Sequence, residues 1–588
     1  MFHMRILAFV ILAFIAIGCS DEDRRASSVD VTVVHLGKRG GFRVKWRLPQ
    51  PARLLIFQRT GAARESQWHS RTEGAVFTKK FGIDVLESRL PKKEFVVEID
   101  EVFVESAGNY PVMIPFSDGG IVLFTDHLRV SWLNCLYECS ENDIRDRALQ
   151  SPTFVAKFLP AHDEYVIANG RVSNRVISTP PSTGGTVVYF GPQEPVQGYG
   201  FTYIADQSLP HWIRKELQGT WPRIIQLYSR RLGIDLPSRP LVFIPYLSGP
   251  RRAQASFSGS VLGSKVVLGL FGERWKEPSA EARVDLIRLM AHESFHLWNA
   301  SLFRSIATPG GEWLHEGSAD AFAALALSEL GLIDRLTFID IHREALNRCA
   351  LGLAGGSLAD PPKPWTVRAA YDCGSIMQLL LDRALRDKGE DLWKFWIALF
   401  TQAAKASGYY TREDFFHLAQ EFIGSTFGSL VDQLKVLGGG ELRGELENPR
   451  ALEVFFSRIY DSAGIGLTIN EQVWPTWYSR LVAEKALTIA VHDDCQNGGN
   501  GYWMAKGNGV RLIGSPRCRS IRGEVEIENI GEFFIWTDGV RVYDYIHEAC
   551  KKSDRLLIFT SGGRLKSLSC PRLPARPRFL EPRAVDRL

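Results

Sequence analysis

His292 and His296 stand four residues apart in the run LMAHESFHLWN, with Glu293 directly after the first, and Glu316 follows twenty positions later in EWLHEGSAD. Side chains four apart leave one face of a helix, so both imidazoles can reach a single ion. A catalytic zinc has three protein ligands and an open position for water, and His292, His296 and Glu316 supply three. This His, His, Glu set suits one Zn2+ per chain. Zinc lowers the pKa of its water from about 15.7 to about 7, which makes a nucleophile at neutral pH. Glu293 is then placed to accept the water proton and pass it to a leaving amine. Asp320 lies four residues beyond Glu316, on the same helix face, where it can accept a hydrogen bond from the outer nitrogen of a ligating histidine.

The pattern around these residues is helical. Residues 280–300 form the HExxH helix, and a second helix runs from Glu312 through DAFAALALSELG to a stop at Gly331. Ahead of them HWIRKELQGTWPRIIQLYSRRLG carries apolar residues three and four apart, while PLVFIPYL and SKVVLGLF read as strands. Further helices are predicted at about 333–350, 366–388, 390–404, 411–423 and 427–437. The run Gly438-Gly439-Gly440 reads as a linker. Upstream, VDVTVVHL, FRVKWRL, ARLLIFQ, EFVVEIDEVFV and GIVLFTDHLRVSW alternate as strands do. The chain thus reads as multidomain: an N-terminal all-β domain over 31–195, a catalytic domain over 196–440 and a small β-rich domain over 441–588. Its 588 residues exceed what one core serves.

Lys plus Arg number 70 against 66 Asp plus Glu, a net charge of +4 with no long basic run, so nucleic acid is excluded as a partner. The amino terminus is different in kind. Arg5 precedes an apolar stretch from Ile6 to Ile17, too short to span a bilayer, and then Gly18-Cys19-Ser20. Residues 1–18 are expected to be an export signal resembling that of bacterial lipoproteins, with lipid on Cys19 and a polar tether over 19–30. Acyl chains on Cys19 would anchor the protein to a membrane, and Ser20 resembles the pattern that permits transfer to the outer membrane. A bacterial cell envelope location follows. The other eight cysteines, Cys135, Cys139, Cys349, Cys373, Cys495, Cys518, Cys550 and Cys570, are even in number and grouped by region, as disulfides in an oxidising compartment are.

HESFHLWN together with EWLHEGSADAFAALAL resembles the glycyl-aminopeptidase family of gluzincin zinc metallopeptidases, and YDCGSIMQLLLDRALRD matches a third motif of that family. The resemblance implies a thermolysin-like α/β plus helical catalytic domain and a peptide or protein substrate. It makes Tyr371 the oxyanion donor, and a Cys349–Cys373 disulfide would hold Tyr371 in place. It also implies a PDZ domain after the helices, for which VEIENIGEFFIWTDGVRVYDYIHEAC followed by LLIFTSGGR has the order strand, turn, helix, strand. Such a module holds an extended peptide by strand addition. One departure bears on specificity. Related aminopeptidases bind the substrate amine through carboxylates on the strand before the zinc helix, and ASFSGSVLGSKVVLGLFG contains no acid before Glu273. The expected activity is peptide-bond hydrolysis of aminopeptidase type; an endopeptidase of the same fold and a catalytically inactive peptide-binding lipoprotein are the alternatives.

Overall fold

Alternation of buried and solvent-facing residues, giving way to fully buried runs such as Ile121–Phe124, builds the first part of the chain in the computed structural model, which describes residues 28–584 except 39, 60–63, 104–110, 136–137, 250–256, 307–309, 355, 361–365, 440–447, 472–473, 496–500, 507–508, 561–562 and 564. The signal segment and Cys19 lie outside the described residues. The strand Ser28–His35 begins within the segment read as tether, because Val29, Val31 and Val33 already point into the core. FRVKWRL and ARLLIFQ form one sixteen-residue strand, Phe42–Phe57, rather than two. Its register against Ile83–Ile99 shifts between Arg47 and Ala52, where Pro49 and Pro51 have no N–H for the ladder. An eight-stranded and a five-stranded sheet share one core through residues such as Val31, Trp46, Leu123 and Phe190. The β reading holds apart from short helical segments, chiefly α1 (Glu141–Leu149), which opens on a capping box at Ser140. Cys135 and Cys139 are joined in a disulfide.

The chain divides into two compact units, and the second carries Glu194–Leu588. Its sheet runs parallel through Thr202–Ala205, Leu241–Ile244 and Lys265–Phe271, with Phe257–Leu262 added antiparallel at the edge. The first helical stretch is broken in two, α2 (His211–Gly219) and α3 (Trp221–Leu232), since Pro222 cannot continue a helix but is accommodated in a first turn. Then come α4 (Ala280–His296), α5 (Ser318–Glu329), α6 (Arg335–Leu353), α7 (Val367–Arg386), α8 (Leu392–Lys405), α9 (Arg412–Ile423) and α10 (Gly428–Gly439), close to the predicted spans. Ser279 caps α4 by accepting from the Ala282 N–H at 3.0 Å. Both segments carrying the candidate ligands are interrupted by π turns, Leu297–Leu302 after His296 and Trp313–Gly317 around Glu316. Such turns frequently mark functional sites.

The glycine run is not a linker where it is described. Gly438 and Gly439 end α10, and the Trp313 indole N–H donates to the Gly438 carbonyl at 3.1 Å. A Cβ on Gly438 would stand 2.9 Å from the indole ring and 3.0 Å from Met377 Cε. Glycine is there to let helix backbone meet an aromatic ring. The helical core also continues beyond it, since Leu452, Phe456 and Tyr460 of α11 (Pro449–Ser462) share the core that holds α4.

The last region is as helical as it is β, against the expectation of short strands. α12 (Thr476–Asp494) and α13 (Gly539–Lys552) pack with the antiparallel sheet 502–506, 509–514, 523–530, 555–560 and 565–569 around one core. The order strand, turn, helix, strand is present over residues 523–560. Cys495–Cys518 and Cys550–Cys570 are bonded, as the even grouping of these cysteines predicts. No helix among the described residues is long and apolar enough to cross a membrane.

Two measurements follow from this packing. Gly438→Val should lower the thermal unfolding midpoint: overpacking costs roughly 1–3 kcal/mol, whereas valine regains only about 0.4 kcal/mol of helix propensity. A midpoint equal to or above the parent's would show that the indole moves aside freely. Lys485 of α12 donates to the Leu351 and Ala354 carbonyls where α6 ends, and burial pushes its ammonium down to about 7. The unfolded chain therefore binds the extra proton between about pH 7 and about pH 10.4, and this group's contribution to stability improves as pH rises through that window. The midpoint of the parent relative to Lys485→Met should rise from pH 7 to pH 10 in melts followed by circular dichroism; a flat difference would reject the shifted lysine.

Candidate active site

The last turn of α4 is buried from His292 to His296, so its polar groups meet each other and not solvent. His292 Nε2 and His296 Nε2 are 3.0 Å apart, and Glu316 Oε2 lies 3.3 Å from the first and 3.2 Å from the second. Two imidazole nitrogens and a carboxylate oxygen thus converge on one point, the donor set of a catalytic zinc. Behind each ring stands an acceptor. His292 Nδ1 is 2.8 Å from Asp320 Oδ1, and His296 Nδ1 is 2.9 Å from Asn299 Oδ1. If each Nδ1 carries the proton, each Nε2 turns a lone pair inward, as metal ligation requires. Asn299 is itself oriented, donating to the His315 carbonyl and to Ser318 Oγ, both at 2.9 Å. The residues present fit the ion.

Close approach of backbones assembles this cluster. A side chain at Gly317 would overlap the backbone of Gly374, and one at Gly374 would overlap the Trp313 carbonyl. The Glu316 turn therefore crosses α7 in direct contact and brings Tyr371 to the site. The Tyr371 ring centroid lies 5.9 Å from that of His292, with the planes 18° apart. The Cys349–Cys373 disulfide ties α6 to α7 two residues beyond the tyrosine. Burial, with Glu316 beside it, pushes the phenol well up, so it stays a donor. Glu293 lies between α4 and the edge strand Phe257–Leu262, and a side chain at Gly259 would overlap its carboxylate. Burial raises the Glu293 carboxyl above its ordinary value. The strand at that point reads FSGSVL and offers hydroxyls but no acid.

The residues predicted as ligands, base, hydrogen-bond partner and oxyanion donor meet here: His292, Glu293, His296, Glu316, Asp320 and Tyr371. Three others were not singled out from the sequence. Asn299 follows His296 by three residues, a spacing that places it on the ligand face. His315 stacks on the His296 ring at 4.3 Å, and burial, with His296 next to it, pushes it down to about 4, so it is a neutral imidazole beside Glu316. Arg368 sits one turn before Tyr371, its guanidinium carbon 5.2 Å from the phenol ring centroid. A second group of potential ligands, Asp494 with Cys495 and Cys518, is otherwise engaged: the sulfurs are bonded, and Asp494 accepts from the Ser520 and Ile521 N–H groups. Although burial opposes its charge, Asp320 is held ionised by His292 and by Arg368. Loss of that charge in Asp320→Asn should weaken zinc binding roughly 10–100-fold in chelator competition; unchanged affinity would mean that the carboxylate does not orient His292.

No family profile matches the chain, and no curated protein matches its sequence. Solved structures do resemble it. An aminopeptidase N family protein from Idiomarina loihiensis superposes with a TM-score of 0.54 at 12% identity, over 95% of this chain and 99% of that one. An M1 zinc metallopeptidase mutant from Deinococcus radiodurans, bound to a Tyr-Ser-Ala substrate, gives 0.40 at 14% identity, over 70% of this chain and 93% of that one. A two-domain M1 zinc metallopeptidase mutant bound to L-arginine gives 0.39 at 14% identity, over 70% and 93%. The first of these shows the fold: a β-rich N-terminal region followed by a helical part, as in an aminopeptidase N family protein.

Proposed function

We propose that this chain is a zinc-dependent metallopeptidase that hydrolyses peptide bonds. The observation that carries the reading is the convergence of His292, His296 and Glu316 within 3.3 Å, with Glu293 Oε1 3.9 Å from His292 Nε2 and the Tyr371 ring 5.9 Å from that of His292. Zinc bound there would supply Lewis acidity and lower the pKa of water. Glu293 has the position and the raised proton affinity of a general base: it takes the proton of the attacking water and returns it to the leaving nitrogen. Tyr371 keeps its proton and donates it as a hydrogen bond to the oxygen on which charge develops. His315 stays neutral beside Glu316 and so adds no cation to repel the metal.

The reaction is aminopeptidase-like by fold. Cleavage of internal bonds is the second reading, favoured by the absence of a carboxylate from Phe257–Leu262, where an amine would otherwise be anchored. A lipid on Cys19 would hold the enzyme at a bacterial envelope, with peptides on the exported side as its substrates; Gly18-Cys19-Ser20 supports this. The strand, turn, helix, strand order over residues 523–560 supports a PDZ-like module that holds an extended peptide.

Glu293→Gln should retain one zinc per chain by atomic emission while cleavage of a mixed peptide library falls roughly 10²–10⁴-fold. Equal turnover by the variant would remove Glu293 from the mechanism. A parent protein that binds zinc yet cleaves nothing would favour the inactive peptide-binding alternative.

A further inference from the structure

Arg368 is not accounted for by the hydrolytic mechanism. It lies in the first turn of α7, three residues before Tyr371, so both side chains leave neighbouring positions on one helix face. Its Nη2 is 3.7 Å from Asp320 Oδ2 and its Nε is 3.8 Å from Asp372 Oδ2. Neither distance is that of a hydrogen bond. An arginine whose whole task is to neutralise buried carboxylates closes on them with short, paired contacts. Here the side chain stays 52% exposed. Its N–H donors are therefore held beside Tyr371 by charge attraction while remaining open to a further acceptor.

Three of the carboxylates around it have other tasks: Asp320 holds His292, Glu316 completes the proposed ligand set and Glu293 is the proposed base. The fourth, Asp372, is buried with its Oδ2 lacking a hydrogen-bond partner, 3.8 Å from Arg368 Nε. The edge strand, where an acid would select a substrate amine, has none. The described part of the site thus presents an available cation next to the reacting groups and no free acid on that strand.

Resting on the peptidase reading, we infer that Arg368 is a specificity-determining residue that binds a substrate carboxylate close to the scissile bond. The substrates are peptides in which an acidic side chain or a free C-terminal carboxylate falls within about one residue of the cleaved bond. Both sources present the planar pair of oxygens that a guanidinium matches.

The test uses the full chain and four matched peptides, combining Glu or Gln next to the cleaved bond with a free or an amidated C-terminus. kcat and KM are measured for the parent, Arg368→Gln and Arg368→Lys, and Kd is measured by calorimetry on Glu293→Gln with and without Arg368→Gln. The parent is expected to favour a carboxylate peptide roughly tenfold to a hundredfold in kcat/KM, mainly through KM, as a charge-assisted hydrogen bond gives. Arg368→Gln should collapse that ratio, Arg368→Lys should restore it in part, and the peptide pair that responds identifies the carboxylate. Zinc content is followed in each variant. Equal use of carboxylate and neutral peptides by the parent would overturn the inference, as would an equal loss on both in Arg368→Gln, which is what a purely structural role through Asp320 predicts. Absence of cleavage by the parent would instead count against the peptidase reading, and the inference would then be judged on whether the Kd preference vanishes with Arg368.

Discussion

Three electron-rich atoms, two imidazole nitrogens and one carboxylate oxygen, are held within 3.3 Å of one another in a buried pocket, and the surrounding structure answers to that requirement. Polar groups removed from water in this way are costly unless each has a partner. The outer nitrogens find theirs in Asp320 and Asn299, and Asn299 is satisfied in turn by a backbone carbonyl and Ser318. The inner atoms face each other at distances that a shared proton or a bound cation would both make favourable. The outer hydrogen bonds decide which nitrogen is turned inward.

Holding those atoms still depends on elements that approach more closely than side chains normally allow. Gly317 and Gly374 let the Glu316 turn lie against α7, Gly259 lets the edge strand lie against Glu293, and Gly438 accepts the Trp313 indole. The alanines of α5 serve the same end, since they are almost fully buried beside α4. Small residues here are not flexible joints. They shorten distances between rigid elements, so Glu316, Glu293 and Tyr371 occupy positions set by backbone contact.

This explains what could be read from the chain and what could not. The pair His292 and His296 is legible because a helical turn is a local rule, and Asp320 is legible for the same reason relative to Glu316. The spans of α6 to α10 follow from apolar spacing. Gly438 was misread because glycine in a linker and glycine under an aromatic ring have the same local appearance; the distinction lies in Trp313, 125 residues away. α12 was missed because the polar Ser479 and Lys485 lie on its buried face, so the apolar stripe does not stand out from the polar face of Arg480, Glu484 and Thr488. Arg368 carries no local signal at all, since its meaning comes from Asp320 and Tyr371 meeting it in space.

The C-terminal region has a structural relation to the site that its sequence does not suggest. Asn347 of α6 exchanges two hydrogen bonds with the Leu580 backbone, and Lys485 of α12 reaches the carbonyls at the end of the same helix. α6 is in turn bonded through Cys349 to Cys373 of α7. The helix that carries Tyr371 is thus gripped on one side by the Glu316 turn and on the other by a helix that the C-terminal region fastens. In the role proposed for Tyr371 the phenol would gain from such support, because preorganised donors spend no energy on reorientation when charge forms. Arg368 is the contrast: on the same helix and one turn away, it is drawn toward Asp320 and Asp372 by charge while half of its side chain stays open to solvent, where a further acceptor can meet it.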